Sequence, residues 1–183
     1  MNYLNQPMQY AGFRKRFSAQ FIDLLCMLPL IGLAYWIGQQ HKSFALIEPF
    51  LTLSIGIWFN VYLVKRYGGT PGKVMLGLQI VRVDGRPVDY RQAALRYSVS
   101  FVLGVAIAVA LLIGTMNIAD ADYYTLGFLE RTEKINELAP AWYGLVTLLS
   151  NIWTWGETII MLTNKRRRAP HDFMAGTVVI YAP

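Results

Sequence analysis

Arg14-Lys15-Arg16 runs straight into FSAQFIDLLCMLPLIGLAYWI, residues 17–37, and the reading of this stretch decides the fold. Its 21 residues hold a single charge, Asp23. At a rise of about 1.5 Å per residue the stretch reaches about 30 Å, the thickness of a bilayer's hydrocarbon core. A basic lead and a run of this length read as a membrane helix whose entrance is marked by Arg16 and Asp23. The two lie nearly two turns apart, on one helix face, about 10 Å from each other. A cleaved leader would have a shorter apolar region and a small-x-small site after it. The reading is a retained anchor.

The rest of the chain repeats the pattern. Over half of its residues are apolar and only 15% are charged, against about a quarter in soluble domains. A second span is expected at about 45–64, with Glu48 and Pro49 near its start and Lys65 and Arg66 closing it. A third is expected at about 93–113 and a fourth at about 142–162, the latter holding Asn151, Thr154 and Glu157 and ending in Lys165–Arg168. Asp89 and Gln92 form a capping-box pattern ahead of the third. Within it, Ser100, Gly104 and Ala108 predict a close helix contact. Residues 1–13 read as a loose tail. Cys26 excludes an intrachain disulfide and reads as a small packing residue.

Two polar segments join the spans. In 67–90, Gly68, Gly69, Pro71 and Gly72 are turn formers. Leu78–Val83 is β-branched, and Asp84-Gly85 signals a tight turn. A short hairpin and a segment lying on the membrane are both compatible with it. A phosphate-binding loop is not, because Tyr67 and Val74 stand where that pattern needs glycine and a hydroxyl. In 115–140, acidic residues outnumber Arg131 and Lys134. Phe128, Leu129, Thr132, Ile135 and Leu138 suggest a surface helix. The expectation is one all-α membrane domain over 1–183, with four transmembrane helices and a cytosolic hairpin-like loop between helices two and three.

Charge sets the predicted orientation. Fourteen of the seventeen lysines and arginines fall before span one, between spans two and three, or after span four. Lys42, Arg131 and Lys134 alone remain for the other side. Basic loops stay in the cytosol, so both termini are expected there. The net charge of +6 is spread between apolar spans rather than along one stripe, which argues against nucleic acid as a partner.

Asp23, Glu48 and Glu157 are the acidic residues inside the spans. Asp23 and Glu157 each lie about two turns from a basic end, and Asn60 and Arg96 fall near the same depth. These residues predict one polar layer on the basic side. It can serve as an ion or proton site or as ion pairs that fix helix register. Glu48 falls in the outer interface and is assigned no role. The loop of Gly68, Gly69, Pro71, Gly72 and Lys73 is a candidate gate over that layer. His171-Asp172 reads either as a proton relay or as a helix cap. No serine lies in an elbow motif, and His41 and His171 make no metal-ligand pattern, so neither enzyme, metal nor cofactor is expected.

Several of these residues resemble a known family. Arg16, Asp23 and Asp172 are similar to the arginine and two aspartates that name the RDD family of bacterial membrane proteins. Gly69-Thr70-Pro71-Gly72-Lys73, Leu76-Gly77-Leu78, Asp84-Gly85-Arg86 and Arg96-Tyr97 resemble its central segment. His171-Asp172 with Ala175–Val179 resembles its close. The acidic segment 115–140 departs from that pattern. The resemblance implies an integral protein of the bacterial cytoplasmic membrane, with transport proposed for the family and cation/proton exchange suggested for some members. It supplies no substrate. Arg16, Asp23 and Asp172, with Arg96 and Glu157 nearby, are expected to form one cluster. Besides the lipid bilayer, a homo-oligomer and a membrane partner protein are compatible partners. The rival to transport is a scaffold or regulatory subunit.

Overall fold

A computed structural model describes residues 9–182. The expected tail lies outside the described residues from 1 to 8, and residues 9–12 are not loose. Ala11 is fully buried and donates its N–H to Val179, while Gln9 accepts from Tyr181.

Three helices are long and apolar enough to cross a membrane: α1 (Phe13–Gln40), α5 (Tyr90–Asn117) and α8 (Tyr143–Thr163). Their apolar side chains face outward over most of their length, as a surface solvated by lipid would be. Pro29 lies inside α1 without ending it. Cys26 is exposed on that helix rather than packed.

The region expected as the second span is helical but interrupted. A 3₁₀ turn (Lys42–Leu46) leads to α2 (Glu48–Ile57), which passes through a π-turn (Trp58–Tyr62) into α3 (Leu63–Tyr67). Pro49 falls in the first turn of α2, where its missing N–H costs nothing. The π-turn loosens the backbone bonding, and the Asn60 amide donates to the carbonyl of Gly56 at 3.1 Å.

The buried apolar core lies outside the long helices' midsections, at the end of the bundle that carries the basic residues. It is built from Ala11, Ala19, Val64, Leu78, Ile80, Val88, Ala93 and Val179. Its frame is a two-stranded antiparallel sheet. Strand β1 (Leu78–Arg82) pairs with β2 (Thr177–Tyr181), in register Leu78 with Tyr181 through Arg82 with Thr177. The expected local hairpin is reduced to a single bridge, Val81 with Pro87, around a tight turn at Gly85 (φ 80°). Ile80, Val81, Val178 and Val179 are buried, and each finds more apolar surface against the other strand than a nine-residue hairpin could supply. Short helices α4 (Pro71–Met75) and α9 (Pro170–Ala175) flank this sheet.

Asp89 and Gln92 make the expected capping box at the start of α5. The expected contact face on α5 is displaced. A side chain at Gly104 would meet nothing within 4 Å. The close approach is at Gly114, where the carbonyl of Ile135 would lie 2.3 Å from an added Cβ. That carbonyl belongs to α7 (Phe128–Glu137), which with α6 (Asp120–Thr125) makes up most of the acidic segment. Phe128 and Leu129 of the expected stripe are exposed, and Arg131 is the buried residue of α7.

Candidate functional site

Asp172 sits at the third position of α9 and is fully buried. One oxygen accepts from Arg16 Nη1 and from the backbone N–H of Ala169, both at 3.1 Å. The other accepts from Arg96 Nη1 and from the Thr177 hydroxyl at 2.9 Å. Burial alone would raise its pKa. The Arg96 guanidinium, the His171 ring, the Arg16 guanidinium and the Ala169 N–H hold it well below the usual carboxylate range. Asp172 is thus the cap of α9 and the counter-charge of α1 and α5 at once. Arg168 braces the same turn, donating to the carbonyls of Thr177 and Asp172 and covering the Phe173 ring.

Arg96 extends the network towards α8. Its Nη2 lies 3.0 Å from His171 Nε2. A guanidinium only donates, so Nε2 is the acceptor and the imidazole hydrogen sits on Nδ1. That nitrogen is 2.5 Å from Glu157 Oε1. The sequence runs Arg16, Asp172, Arg96, His171, Glu157, a continuous chain of charge-assisted bonds between α1, α9, α5 and α8. Asp172 makes the helix cap that the sequence offered for this dipeptide, and His171 lies in the hydrogen-bonded chain between Arg96 and Glu157.

Asp23 is not part of that chain. Its oxygens accept from the Thr70 hydroxyl at 2.6 Å and the Gly72 N–H at 2.7 Å. Lys73 Nζ stands 3.9 Å away and donates to Thr70 at 3.2 Å. Helix α4 has no side-chain cap of its own, and Asp23 supplies one from α1. Gly72 allows the approach. A Cβ there would fall 2.1 Å from the Ala19 carbonyl and 3.0 Å from Asp23. Gly68 takes φ 77° and its carbonyl accepts from Ile80 at 2.6 Å. The expected gating loop is therefore pinned at Gly68, Thr70 and Gly72. Two of its glycines serve a left-handed turn and a tight contact rather than freedom to move. Gly69 is buried and Pro71 opens α4.

Lys73 links the two groups. Its pKa is pushed down to about 8 by burial, with Arg96 and Arg16 adding to the fall and Asp23 and Asp172 opposing it. It lines a polar cavity of about 320 Å³ together with Arg16, Arg96, His171, Glu157 and Asn60. Asp23 and Asp172 stand behind this wall. Ser100, Thr154 and Thr158 add hydroxyls to it. A second, mostly apolar cavity of about 750 Å³ lies towards the other end of α1, and Asn60 and Tyr97 belong to the walls of both. Tyr97 packs over the helix backbone, since a Cβ at Gly56 would lie 2.2 Å from its hydroxyl.

Lys73, Thr70 and Arg168 were not singled out by the sequence as partners of the acidic residues. The sequence carried no signal for this: Thr70 ahead of Pro71 reads as a hydroxyl cap of α4, whereas its hydroxyl donates to Asp23.

No curated relative matches the sequence. The model of the RDD family matches residues 10–176, which take in Arg16, Asp23, Arg96, Glu157 and Asp172. The match and the apolar helices make this a multi-pass integral membrane protein. Arg16 and Asp172 meet in one buried ion pair, Asp23 holds the loop beside them, and with the family model matching residues 10–176 the chain belongs to the RDD family.

Proposed function

We propose that this protein is a transporter of the bacterial cytoplasmic membrane, with both termini in the cytosol, which exchanges a monovalent cation for protons. In this reading the helical rod over 48–67 is a fourth crossing beside α1, α5 and α8. Twenty residues of continuous helix reach about 30 Å, enough for a bilayer core. The observation that carries the proposal is the polar cavity, in which α1, α5, α8 and α9 bring ionisable groups to one space at the basic end of the bundle.

Two groups in that space suit proton exchange. Lys73 titrates near pH 8, inside the range a cell's proton gradient can work on. Glu157 is the carboxylate on the cavity wall and keeps one oxygen free of the His171 bond. With the hydroxyls of Ser100, Thr154 and Thr158 it offers the oxygen donors a hard cation takes. Asn60 and Tyr97 then separate this cytosolic cavity from the outer one, so that access can alternate across them. Opening of the Gly68–Lys73 loop requires Asp23 to release Thr70 and Gly72.

The test is flux in liposomes of purified protein under an imposed pH gradient. Adding sodium or potassium should dissipate the gradient, and Glu157→Gln should abolish the response. If wild type and variant leak alike under every cation, transport falls and a scaffold for a membrane partner becomes the better reading.

A further inference from the structure

We propose that the 750 Å³ cavity binds organic cations, a positive nitrogen or phosphorus centre on an apolar body, with Glu48 as the counter-charge. The proposal goes beyond the transport reading, which places its hard cation in the other cavity, and rests on that reading only for what happens to the organic cation once bound.

Glu48 is the carboxylate that nothing else explains. Every other acidic residue at a cavity wall or behind one has a cation or an imidazole. Asp172 has two arginines, Asp23 has Lys73 and Glu157 has His171. Glu48 accepts the Thr52 hydroxyl at 2.7 Å, and among the described residues no cation pairs with it. It stands in the first turn of α2, whose free N–H groups favour a negative charge there. The three lysines and arginines of this end are committed elsewhere, Lys134 to Glu137 at 3.5 Å. Lys42 Nζ donates to the Ile118 carbonyl at 2.5 Å and to Asp120 at 2.8 Å. Arg131 donates to Gln39 and to the Tyr123 carbonyl.

The walls around this lone carboxylate are mostly apolar, with Thr52, Asn60 and Thr115 among them. Tyr35, Phe44, Phe59 and Tyr97 line the cavity with aliphatic side chains from α1 and α2. Such a wall offers few oxygens to replace the hydration of a bare alkali ion. It suits a cation whose charge is spread over or wrapped in carbon, for which aromatic faces and a single carboxylate are the matching groups. The volume lies in the range of small-molecule sites. The same chemistry can come from a free amphipathic cation or from the ammonium headgroup of a zwitterionic lipid.

The experiment is equilibrium binding of radiolabelled tetraphenylphosphonium to the full chain in nanodiscs. One set contains phosphatidylglycerol alone and the other contains phosphatidylethanolamine as well. Saturable binding is expected in the first set. Glu48→Gln should weaken it at least tenfold, Glu48→Asp should retain most of it, and neutral triphenylphosphine oxide should not compete. Loss of binding on adding phosphatidylethanolamine assigns the site to a lipid ammonium, and persistence assigns it to free cations. Folding of each variant is read from its size-exclusion profile, and the Glu48→Asp result stands if Glu48→Gln fails to fold. Equal binding by wild type and Glu48→Gln, competition by the neutral compound, or loss of binding in a folded Glu48→Asp overturns the proposal. If binding behaves as expected while no cation moves in liposomes, the site stands and the transport reading falls.

Discussion

Replacing Asp172 by asparagine keeps the size of the side chain and removes the one negative charge between two buried arginines. The side chains of Arg16 and Arg96 are 8% and 9% exposed, so water cannot take over from the carboxylate. An uncompensated buried charge costs about 3–5 kcal/mol, and here two guanidiniums share the loss. The amide can still accept from one of its four present donors at each lone pair of one oxygen, but its NH₂ group must face a donor. We therefore expect a loss of about 4 kcal/mol or more, out of a total stability on the order of 5–15 kcal/mol. The assay is equilibrium unfolding in dodecyl maltoside micelles with a rising fraction of sodium dodecyl sulfate, followed by tryptophan fluorescence. Asp120→Asn is the control, because Asp120 is 79% exposed in its pair with Lys42 and should cost less than about 1 kcal/mol. Adding Arg16→Met to Asp172→Asn should recover part of the loss, since it removes one orphaned charge. A cost for Asp172→Asn no larger than that of the control would refute the view that this carboxylate organises the basic end.

Three further outcomes follow from the same geometry. Gly72→Ala should destabilise by about 1–3 kcal/mol in the same assay, because the new methyl group strikes the Ala19 carbonyl, whereas Gly104→Ala should be neutral or better. Stability should depend on pH at both ends: Asp172, whose folded pKa is depressed, stabilises fully above about pH 4 and loses this as pH falls further, while Lys73, lowered from 10.5 to about 8, relieves a cost as pH rises from about 8 to 10.5. Lys73→Met should abolish the alkaline rise in unfolding titrations and leave the acid limb. In a Cys26→Ser background, Thr125→Cys should react with an impermeant thiol reagent added outside intact cells and Asp84→Cys should not, and the reverse labelling would invert the topology.

The spanning helices were legible because their information is local. A run of apolar residues between basic flanks needs no partner to be recognised, and α1, α5 and α8 lie within a few residues of the predicted limits. The depth of Arg16, Asp23, Arg96 and Glu157 followed from counting turns. What counting could not give was who meets whom. Asp23 and Asp172 fall on one side at related depth, yet one caps α4 and the other holds two arginines, because α4 packs against α1 while α9 packs against α5 and α8. Strand β1 announced itself by β-branching, but its partner is a run of four buried residues with no alternation to mark its face. The π-turn at Asn60 leaves no trace in composition. Glu48 was set aside as an interfacial charge because its distance along the helix said so. Its place on a cavity wall depends on where the 3₁₀ turn, α1 and Tyr123 converge, which hydropathy does not encode.

The ion pair of Arg16 with Asp172 joins residues 156 positions apart. During synthesis the arginine emerges first, and at ribosomal speed its partner follows roughly ten to thirty seconds later. Throughout that interval α1 and then α5 are threaded into the bilayer with Arg16 and Arg96 unmatched, and β1 waits with both edges open. Helix α9 and strand β2 then close both, Asp172 taking the two guanidiniums and Thr177–Tyr181 the edge of β1. Synthesis of residues 170–181 is therefore coupled to the sealing of the basic end, so a nascent or truncated product that stops before Pro170 presents an open strand edge and an orphan pair of guanidiniums to proteases and chaperones at the membrane surface.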